Sequence, residues 1–167
     1  MIEQPFQPTQ EQLEQAQVLV VDDDELVTAS LASFLSLEVE IEPIVFNQST
    51  EAMAYVCEND IDLIISDFLM PRMNGIELLT EVRRIRPDAP RVLLTGYADK
   101  ANAVRAINEA GVFHYLEKPW DNLHLQQIVV DGLTRRLLAQ TLKRTMDQLG
   151  GDQPELARLT SALCALN

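Results

Sequence analysis

Five short apolar runs are spread along the chain, and stretches with apolar residues at every third or fourth position separate them. Continuous apolar runs are typical of buried strands, whereas the wider spacing is typical of amphipathic helices. The runs Val18-Leu19-Val20-Val21 and Leu63-Ile64-Ile65 have no polar interruption, which predicts strands covered on both faces. The predicted strands are residues 18–22, about 40–46, 62–67, 91–95 and about 112–117.

Helices are predicted between these strands by the apolar spacing and by the residues that end them. The helix after Gly75 should end before Pro87, because proline disfavours a helical conformation in the residue ahead of it. A helix from about Lys100 should end at Gly111, since glycine is a common helix terminator. The last long helix should start near Asp121.

The regular alternation of strand and helix predicts an α/β fold. Such repetition gives a parallel sheet with helices on both faces, and right-handed crossovers leave few topologies open. We expect a doubly wound five-stranded parallel sheet with strand order 2-1-3-4-5. We also expect an extended C-terminal helix.

The C-terminal region continues the helical spacing beyond the last predicted strand. Leucines recur from Leu133 to Leu149, Gly150-Gly151 interrupts, and residues 152–155 resemble a capping box for a short helix through Leu166. The spacing suits a dimerising or signalling helix, but a helix that folds back onto its own domain fits equally. We expect a polar N-terminal tail (1–16), one domain (17–135) and a helical extension or linker (136–167).

Composition narrows the classes of partner. The 167 residues include 26 acidic and 13 basic ones, a formal net charge of -13, which disfavours direct nucleic-acid binding. The sequence contains no apolar stretch of membrane-spanning length and starts without a signal-like pattern, so we expect a cytoplasmic protein that does not contact membranes. Cys57 and Cys164 lack metal-ligand spacing and are expected to be free thiols.

Reactive side chains follow four of the predicted strands. Asp22 and Asp23 follow the first strand, Asp67 ends the third, Thr95 ends the fourth, and Lys118 follows the fifth. Because parallel strands end at one edge of a sheet, these groups should converge there. Three carboxylates at such short distances repel one another unless a cation lies between them. Mg²⁺ is a suitable cation because it prefers oxygen ligands.

These groups together suit the transfer of a phosphoryl group. The backbone carbonyl of Leu69, two residues past Asp67, is a natural further Mg²⁺ ligand. The ammonium group of Lys118 and the hydroxyl group of Thr95 can bind phosphoryl oxygens. Asp67 would then be the nucleophile, forming an aspartyl phosphate.

Four motifs in order resemble a bacterial two-component response-regulator receiver domain, over about residues 17–135. That family has the flavodoxin-like fold, and the resemblance implies a phosphoprotein in phosphorelay signal transduction. The motifs are Val20-Val21-Asp22-Asp23, Ser66-Asp67 with Met70-Pro71 and Asn74-Gly75, Leu94-Thr95-Gly96, and Lys118-Pro119.

The resemblance also implies roles for partners and residues. A sensor histidine kinase or a histidine phosphotransfer protein would donate phosphate to Asp67. Asp22 and Asp23 would hold Mg²⁺, with Asp23 the more direct ligand. Tyr115 matches an aromatic switch position, although it also fits a half-buried strand residue without that role. The readout surface would be the fourth helix, fifth strand and fifth helix of the repeating units.

The output and the class of function have alternatives. Thr95-Gly96-Tyr97-Ala98 and Pro119-Trp120-Asp121 resemble receivers linked to HD-GYP-type phosphodiesterase modules, and no such module lies in this sequence. The chain would therefore act on a downstream protein, act as a homodimer through its C-terminal helix, or be the N-terminal part of a longer regulator with an enzymatic output domain.

Two further alternatives concern the chemistry itself. A Mg²⁺-dependent phosphohydrolase resembling haloacid dehalogenases would usually carry an acid where Leu69 stands, and a phosphate-independent module would not need the complete acidic set. We therefore expect no enzyme beyond self-phosphorylation chemistry. The bulk of Leu69 and Tyr97 predicts restricted water attack and a long-lived phosphoryl group.

Overall fold

Five parallel strands form one sheet in the order β2-β1-β3-β4-β5, which confirms the predicted fold. A computed structural model describes residues 6–96, 100–149 and 154–165 of the chain. The register pairs Asp67 with Leu94 and Thr95 with Glu117, so neighbouring strands end at nearly the same level. The strands are β1 (Val18–Val21), β2 (Ile44–Phe46), β3 (Leu63–Asp67), β4 (Arg91–Thr95) and β5 (His114–Glu117).

Helices cover both faces of this sheet. A short helix also lies inside the region predicted as a polar tail, where Thr9 and Gln12 form a capping box. The domain boundaries proposed above stay a prediction. The helices are α1 (Gln10–Glu14), α2 (Glu25–Glu38), α3 (Ser49–Glu58), α4 (Gly75–Ile85), α5 (Lys100–Glu109), α6 (Asn122–Leu149) and α7 (Pro154–Ala165).

The core lies in two layers because successive strand residues point to opposite faces. Val20 and Ile65 pack with α2 and α6 on one face, whereas Leu19 and Ile64 pack with α3, α4 and α5 on the other. All four side chains are fully buried. Burial on both faces explains why the apolar runs lack the alternation of half-exposed strands.

Two strands are shorter than predicted. Residues 40–43 were expected in β2, but Ile41 instead closes the end of α2, where its amide donates to the Leu35 carbonyl at 3.0 Å. Glu40 turns the chain with a φ of 60°. β5 begins at His114 rather than 112, after Gly111 with a φ of 57°. In both places buried apolar side chains in a turn imitate a strand pattern.

The long helix α6 has 28 residues, about 42 Å, and it crosses close to β3. A Cβ atom on Gly132 would lie 2.6 Å from the end of the Leu63 side chain, so a larger residue here would have to displace that buried side chain. Four residues beyond Gly132, the buried Arg136 bonds Asp60 at 3.0 Å and Asp62 at 3.4 Å. We call the end of the sheet that carries Asp60, Asp62, Arg91 and Arg136 the basal edge.

The C-terminal extension folds back towards this basal edge. Leu133 and Leu138 of α6 are buried, whereas Met146 near its end is 53% exposed. Leu163 of α7 lines a cavity of about 460 Å³ together with Arg91 and other basal residues. Of the two alternatives for this region, packing onto its own domain therefore applies to the first part of α6. The capping residues 152 and 153 lie outside the described residues.

Candidate functional site

The carboxyl ends of the strands bring three carboxylates together. Asp22 and Asp23 follow β1, and Asp67 ends β3, its neighbour in the sheet. One carboxylate oxygen from each lies within 4.8 Å of the others. Asp22 and Asp67 are buried, with 1% and 7% of their surface exposed, whereas Asp23 is exposed. We call these three residues the acidic edge.

Lys118 lies between two of these carboxylates. Its Nζ atom is 2.7 Å from Asp22 Oδ2 and 2.7 Å from Asp67 Oδ1. The amide of Lys118 donates to the Thr95 carbonyl at 2.8 Å, which fixes the loop after β5 beside the end of β4. The Lys118-Pro119 peptide bond is cis.

Burial and charge shift two pKa values at the acidic edge. Burial, and secondly the charge of Asp22, raise the pKa of Asp67 above its ordinary value, although the hydrogen bond from Lys118 opposes them. Burial lowers the pKa of Lys118, but its hydrogen bonds to Asp22 and Asp67 outweigh burial and raise it. Lys118 therefore remains an ammonium group at neutral pH.

The donor set suits a divalent cation. Three carboxylates and one ammonium group leave two negative charges uncompensated when all are ionised. Carboxylate oxygens are ligands that Mg²⁺ prefers, and this ion also keeps several waters, for which the exposed Asp23 leaves access. Asp22, Asp23 and Asp67 are therefore the residues that could hold a metal.

The loop after β3 is packed tightly against Asp67. The amide of Gly75 donates to the Phe68 carbonyl at 2.8 Å. A Cβ atom at position 75 would lie 2.1 Å from the Asp67 carbonyl oxygen, so only glycine fits. The Leu69 side chain is 64% exposed at the start of this loop. Its carbonyl as a Mg²⁺ ligand stays a prediction, and Tyr97 lies outside the described residues.

Thr95 and Tyr115 lie on neighbouring strands. Thr95 is buried, and its Oγ1 donates a long hydrogen bond of 3.4 Å to the Leu116 carbonyl. Tyr115 is 42% exposed on β5. Their roles as phosphoryl ligand and switch stay predictions.

The sequence interpretation missed Asn47. Its Nδ2 atom donates to the Asp22 carbonyl at 2.9 Å and to Thr28 Oγ1 at 3.1 Å. Asn47 directly follows β2, just as the other site residues follow or end their strands. The same strand-end signal could therefore have found it.

No helix within residues 6–96, 100–149 and 154–165 combines the length and the apolar character needed to cross a membrane. The chain matches the family model of the response regulator receiver domain over residues 18–130. It is 33% identical over 135 residues to the hydrogenase transcriptional regulatory protein HoxA of Cupriavidus necator, covering 81% of this chain and 27% of that protein. The chain spans between 23% and 33% of the length of the curated relatives it matches.

Solved structures give the same result. A response regulator receiver domain protein from Clostridium thermocellum is 32% identical, with a TM-score of 0.70, over 74% of this chain and 98% of that chain. The signal receiver domain of an HD domain-containing protein from Pseudomonas fluorescens is 30% identical, with a TM-score of 0.69, over 73% of this chain and 97% of that one. Fold, acidic edge and sequence similarity agree: this chain belongs to the response regulator receiver domain family of two-component signalling.

Proposed function

We propose that this chain is a phospho-accepting switch in which Asp67 receives a phosphoryl group from a phosphohistidine of a sensor histidine kinase or a histidine phosphotransfer protein. The observation that carries the proposal is the position of Asp67 itself. It is buried, it lies 2.7 Å from Lys118 Nζ, and its carboxylate is within 4.8 Å of those of Asp22 and Asp23. The family supports a kinase or phosphotransfer partner.

Asp22, Asp23 and Asp67, with the Leu69 carbonyl, would hold Mg²⁺. When bound, the ion neutralises negative charge on the carboxylates and on the transferring phosphoryl oxygens. The buried Asp22 keeps its place through Lys118 and through the Asp24 amide, which donates to Asp22 Oδ1 at 2.9 Å. Asp23 faces solvent and supplies the accessible side of the site.

In the transfer step, a carboxylate oxygen of Asp67 forms a bond to phosphorus while the phosphorus–nitrogen bond of the donor breaks. The electron pair of that bond stays on the imidazole ring, which takes up a proton. Asp67 must be ionised to attack, and the ammonium group of Lys118 favours that form. Lys118 and Thr95 would then donate hydrogen bonds to the phosphoryl oxygens.

The response to phosphorylation would be a shift between two conformations. The hydrogen bond from Thr95 to the Leu116 carbonyl is 3.4 Å long, so a phosphoryl oxygen can compete for this hydroxyl group. Thr95 would move towards the phosphoryl group, and the exposed ring of Tyr115 would turn inward. Contacts formed in only one conformation bias a pre-existing equilibrium.

The surface that would change comprises α5, β5 and α6, the fourth helix, fifth strand and fifth helix of the repeating units. Val104, Ile107, Tyr115 and Leu123 expose apolar area there. Such area suits a downstream protein or a second copy of the chain, the latter also through α6. We propose a regulatory role without turnover of a free metabolite.

The proposal is tested by incubating the full chain with Mg²⁺ and either a phosphorylated histidine kinase or acetyl phosphate. We expect one phosphoryl group per chain, located at Asp67 by mass spectrometry and absent from Asp67→Asn. Phosphate retained by Asp67→Asn, or none taken up from either donor, would overturn it.

A further inference from the structure

Asn47 connects the end of β2 to the acidic edge. It is half-buried, and the two hydrogens of its amide group have two acceptors, the Asp22 carbonyl at 2.9 Å and Thr28 Oγ1 at 3.1 Å. Thr28 is itself held, because its Oγ1 donates to the Glu25 carbonyl at 3.1 Å. Asn47 therefore fixes the loop between β1 and α2 from the side of the neighbouring strand.

The Asp22 carbonyl belongs to the peptide group that joins Asp22 to Asp23. The other groups of Asp22 have separate partners, since its amide donates to the Phe46 carbonyl at 3.2 Å and its carboxylate bonds Lys118 and the Asp24 amide. Asp23 is exposed, so no packing around its side chain fixes its position. Holding the Asp22 carbonyl fixes the peptide group before Asp23 and therefore the direction of the Cα–Cβ bond from which its carboxylate extends.

We propose that Asn47 is a positioning residue for cation binding, acting through the Asp22–Asp23 peptide group to keep the Asp23 carboxylate within reach of Asp22 and Asp67. The inference rests on the proposed function, in which these carboxylates hold Mg²⁺. Residues that orient metal ligands typically change metal affinity ten- to a hundredfold when they are removed.

The chemistry of asparagine separates this role from a charge effect. The amide is neutral, so replacing it by alanine leaves the charge of the acidic edge unchanged and alters only its geometry. Asn47 also lines a cleft of about 220 Å³ opposite Met70 and Pro71, in the loop that follows Asp67. It therefore lies between the two loops that carry the carboxylates.

The test measures Mg²⁺ binding to the full chain by isothermal titration calorimetry. We expect Asn47→Ala to raise the Kd for Mg²⁺ about tenfold. Asn59→Ala is the matched control, because Asn59 Nδ2 also bonds a backbone carbonyl, that of Tyr55 at 3.0 Å, but at the far end of α3. Its Kd should equal that of the wild type. Asn47→Ser, which keeps a donor, should give an intermediate Kd and serves if the alanine variant loses stability.

Two further readouts separate the positioning of Asp23 from a general loss of Mg²⁺ affinity. In an Asp23→Asn background, Asn47→Ala should change the Kd much less, because residues that act together are not additive. Phosphoryl uptake by Asn47→Ala should need more Mg²⁺ for half-maximal rate but reach nearly the wild-type maximum. An equal Kd change in both backgrounds, or an unchanged Kd in Asn47→Ala, overturns the inference alone. A wild-type chain that binds no Mg²⁺ overturns the proposed function as well.

Discussion

At the acidic edge three carboxylates share one ammonium group, that of Lys118, which lies between two of them. At the basal edge two guanidinium groups, those of Arg91 and Arg136, bond two carboxylates and four backbone carbonyls. The Arg136 guanidinium bonds Asp60 and Asp62, and Asp60 is 66% exposed, so water shares its charge. Arg91 donates to the backbone carbonyls of Pro87, Ala89, Ala110 and Gly111. The basal edge is satisfied by the chain's own groups, and the acidic edge has an excess of charge.

Burial acts on both edges, but with different consequences. Burial lowers the pKa of Arg91 to about 10, and Arg91 still stays charged at neutral pH. Burial raises the pKa of Asp67, so folding disfavours its charged form, which is the form that the proposed phosphoryl transfer needs. The difference fits a basal edge that serves stability and an acidic edge that, in the proposed function, would bind a cation and receive a phosphoryl group.

Removing the amine from the acidic edge should have the largest effect. Lys118→Ala takes away the partner of Asp22 and Asp67. We expect the rate of phosphoryl uptake from acetyl phosphate at neutral pH to fall about a hundredfold, the size typical for loss of one donor to a developing charge. The acid limb of the pH–rate profile should move to higher pH, because Lys118 lowers the pKa of Asp67 and the variant lacks this effect. Lys143→Ala, on an exposed part of α6, is the control. A rate within threefold of wild type would contradict the assigned role.

Breaking the basal edge should change stability and leave the chemistry intact. Arg136→Met removes a buried cation from Asp60 and Asp62 but keeps much of the side-chain volume. Because water reaches Asp60, we expect the free energy of unfolding to fall by about 2 kcal/mol, less than for a fully buried pair. Urea unfolding measures this free energy. The control is Arg84→Met, which breaks an exposed pair with Glu81 and should leave the free energy of unfolding almost unchanged. If Arg136→Met slowed phosphoryl uptake tenfold at unchanged stability, the division between the edges would be wrong.

A smaller effect is expected at Leu69, beside the acidic edge. Its exposed side chain follows Asp67 by two residues, and its bulk should restrict attacking water. Leu69→Ala should shorten the lifetime of the phosphoryl group a few-fold without changing Mg²⁺ affinity, as followed by loss of label after donor removal. A wild-type lifetime of only seconds would count against the prediction.

The smallest effect concerns the charge of Asp67 in the absence of divalent cations. Its folded pKa is raised, so the folded chain binds this proton more tightly than the unfolded chain does. The free energy of unfolding therefore falls as the pH rises from 3.8, the ordinary pKa of this group, to its raised pKa in the folded chain. Above the raised pKa the whole loss of stability is present. Asp67→Asn should be more stable than wild type at neutral pH, by less than the loss at Arg136.

The gain at Asp67→Asn should disappear as the pH falls below 3.8, where both states of the wild type are protonated. Urea unfolding at neutral and acidic pH tests this, with Asp147→Asn on α6 as the exposed control. A wild type that is the more stable protein at neutral pH would show that Lys118 outweighs burial at this site.

The elements that sequence predicted best are those whose pattern has one physical cause. β3 and β4 were predicted within one residue, because uninterrupted apolar runs arise only where both faces are covered. The start of β2 was predicted too early because Ile41, a buried residue that closes a helix, is as apolar as a residue in a strand. The short helix α1 escaped because its capping box lies in a polar stretch.

The same distinction holds for the candidate site. The convergence of Asp22, Asp23 and Asp67 followed from parallel strands that end at one edge. The double pairing of Lys118 and the amide contact of Asn47 depend on side-chain conformations, which no spacing encodes. The attachment of Arg136 also joins residues 74 and 76 positions apart, beyond any local pattern.

The close approach of α6 to β3 bears on how information could cross the molecule. Leu63, which touches Gly132, and Asp67 are the two ends of one five-residue strand. That strand is hydrogen-bonded to β1 on one side and to β4 on the other, so it resists shifting along its neighbours and forms the rigid centre of the sheet. We therefore expect a conformational change at Asp67 to reach α6 through the loops at the carboxyl ends of the strands, while β3 itself does not move.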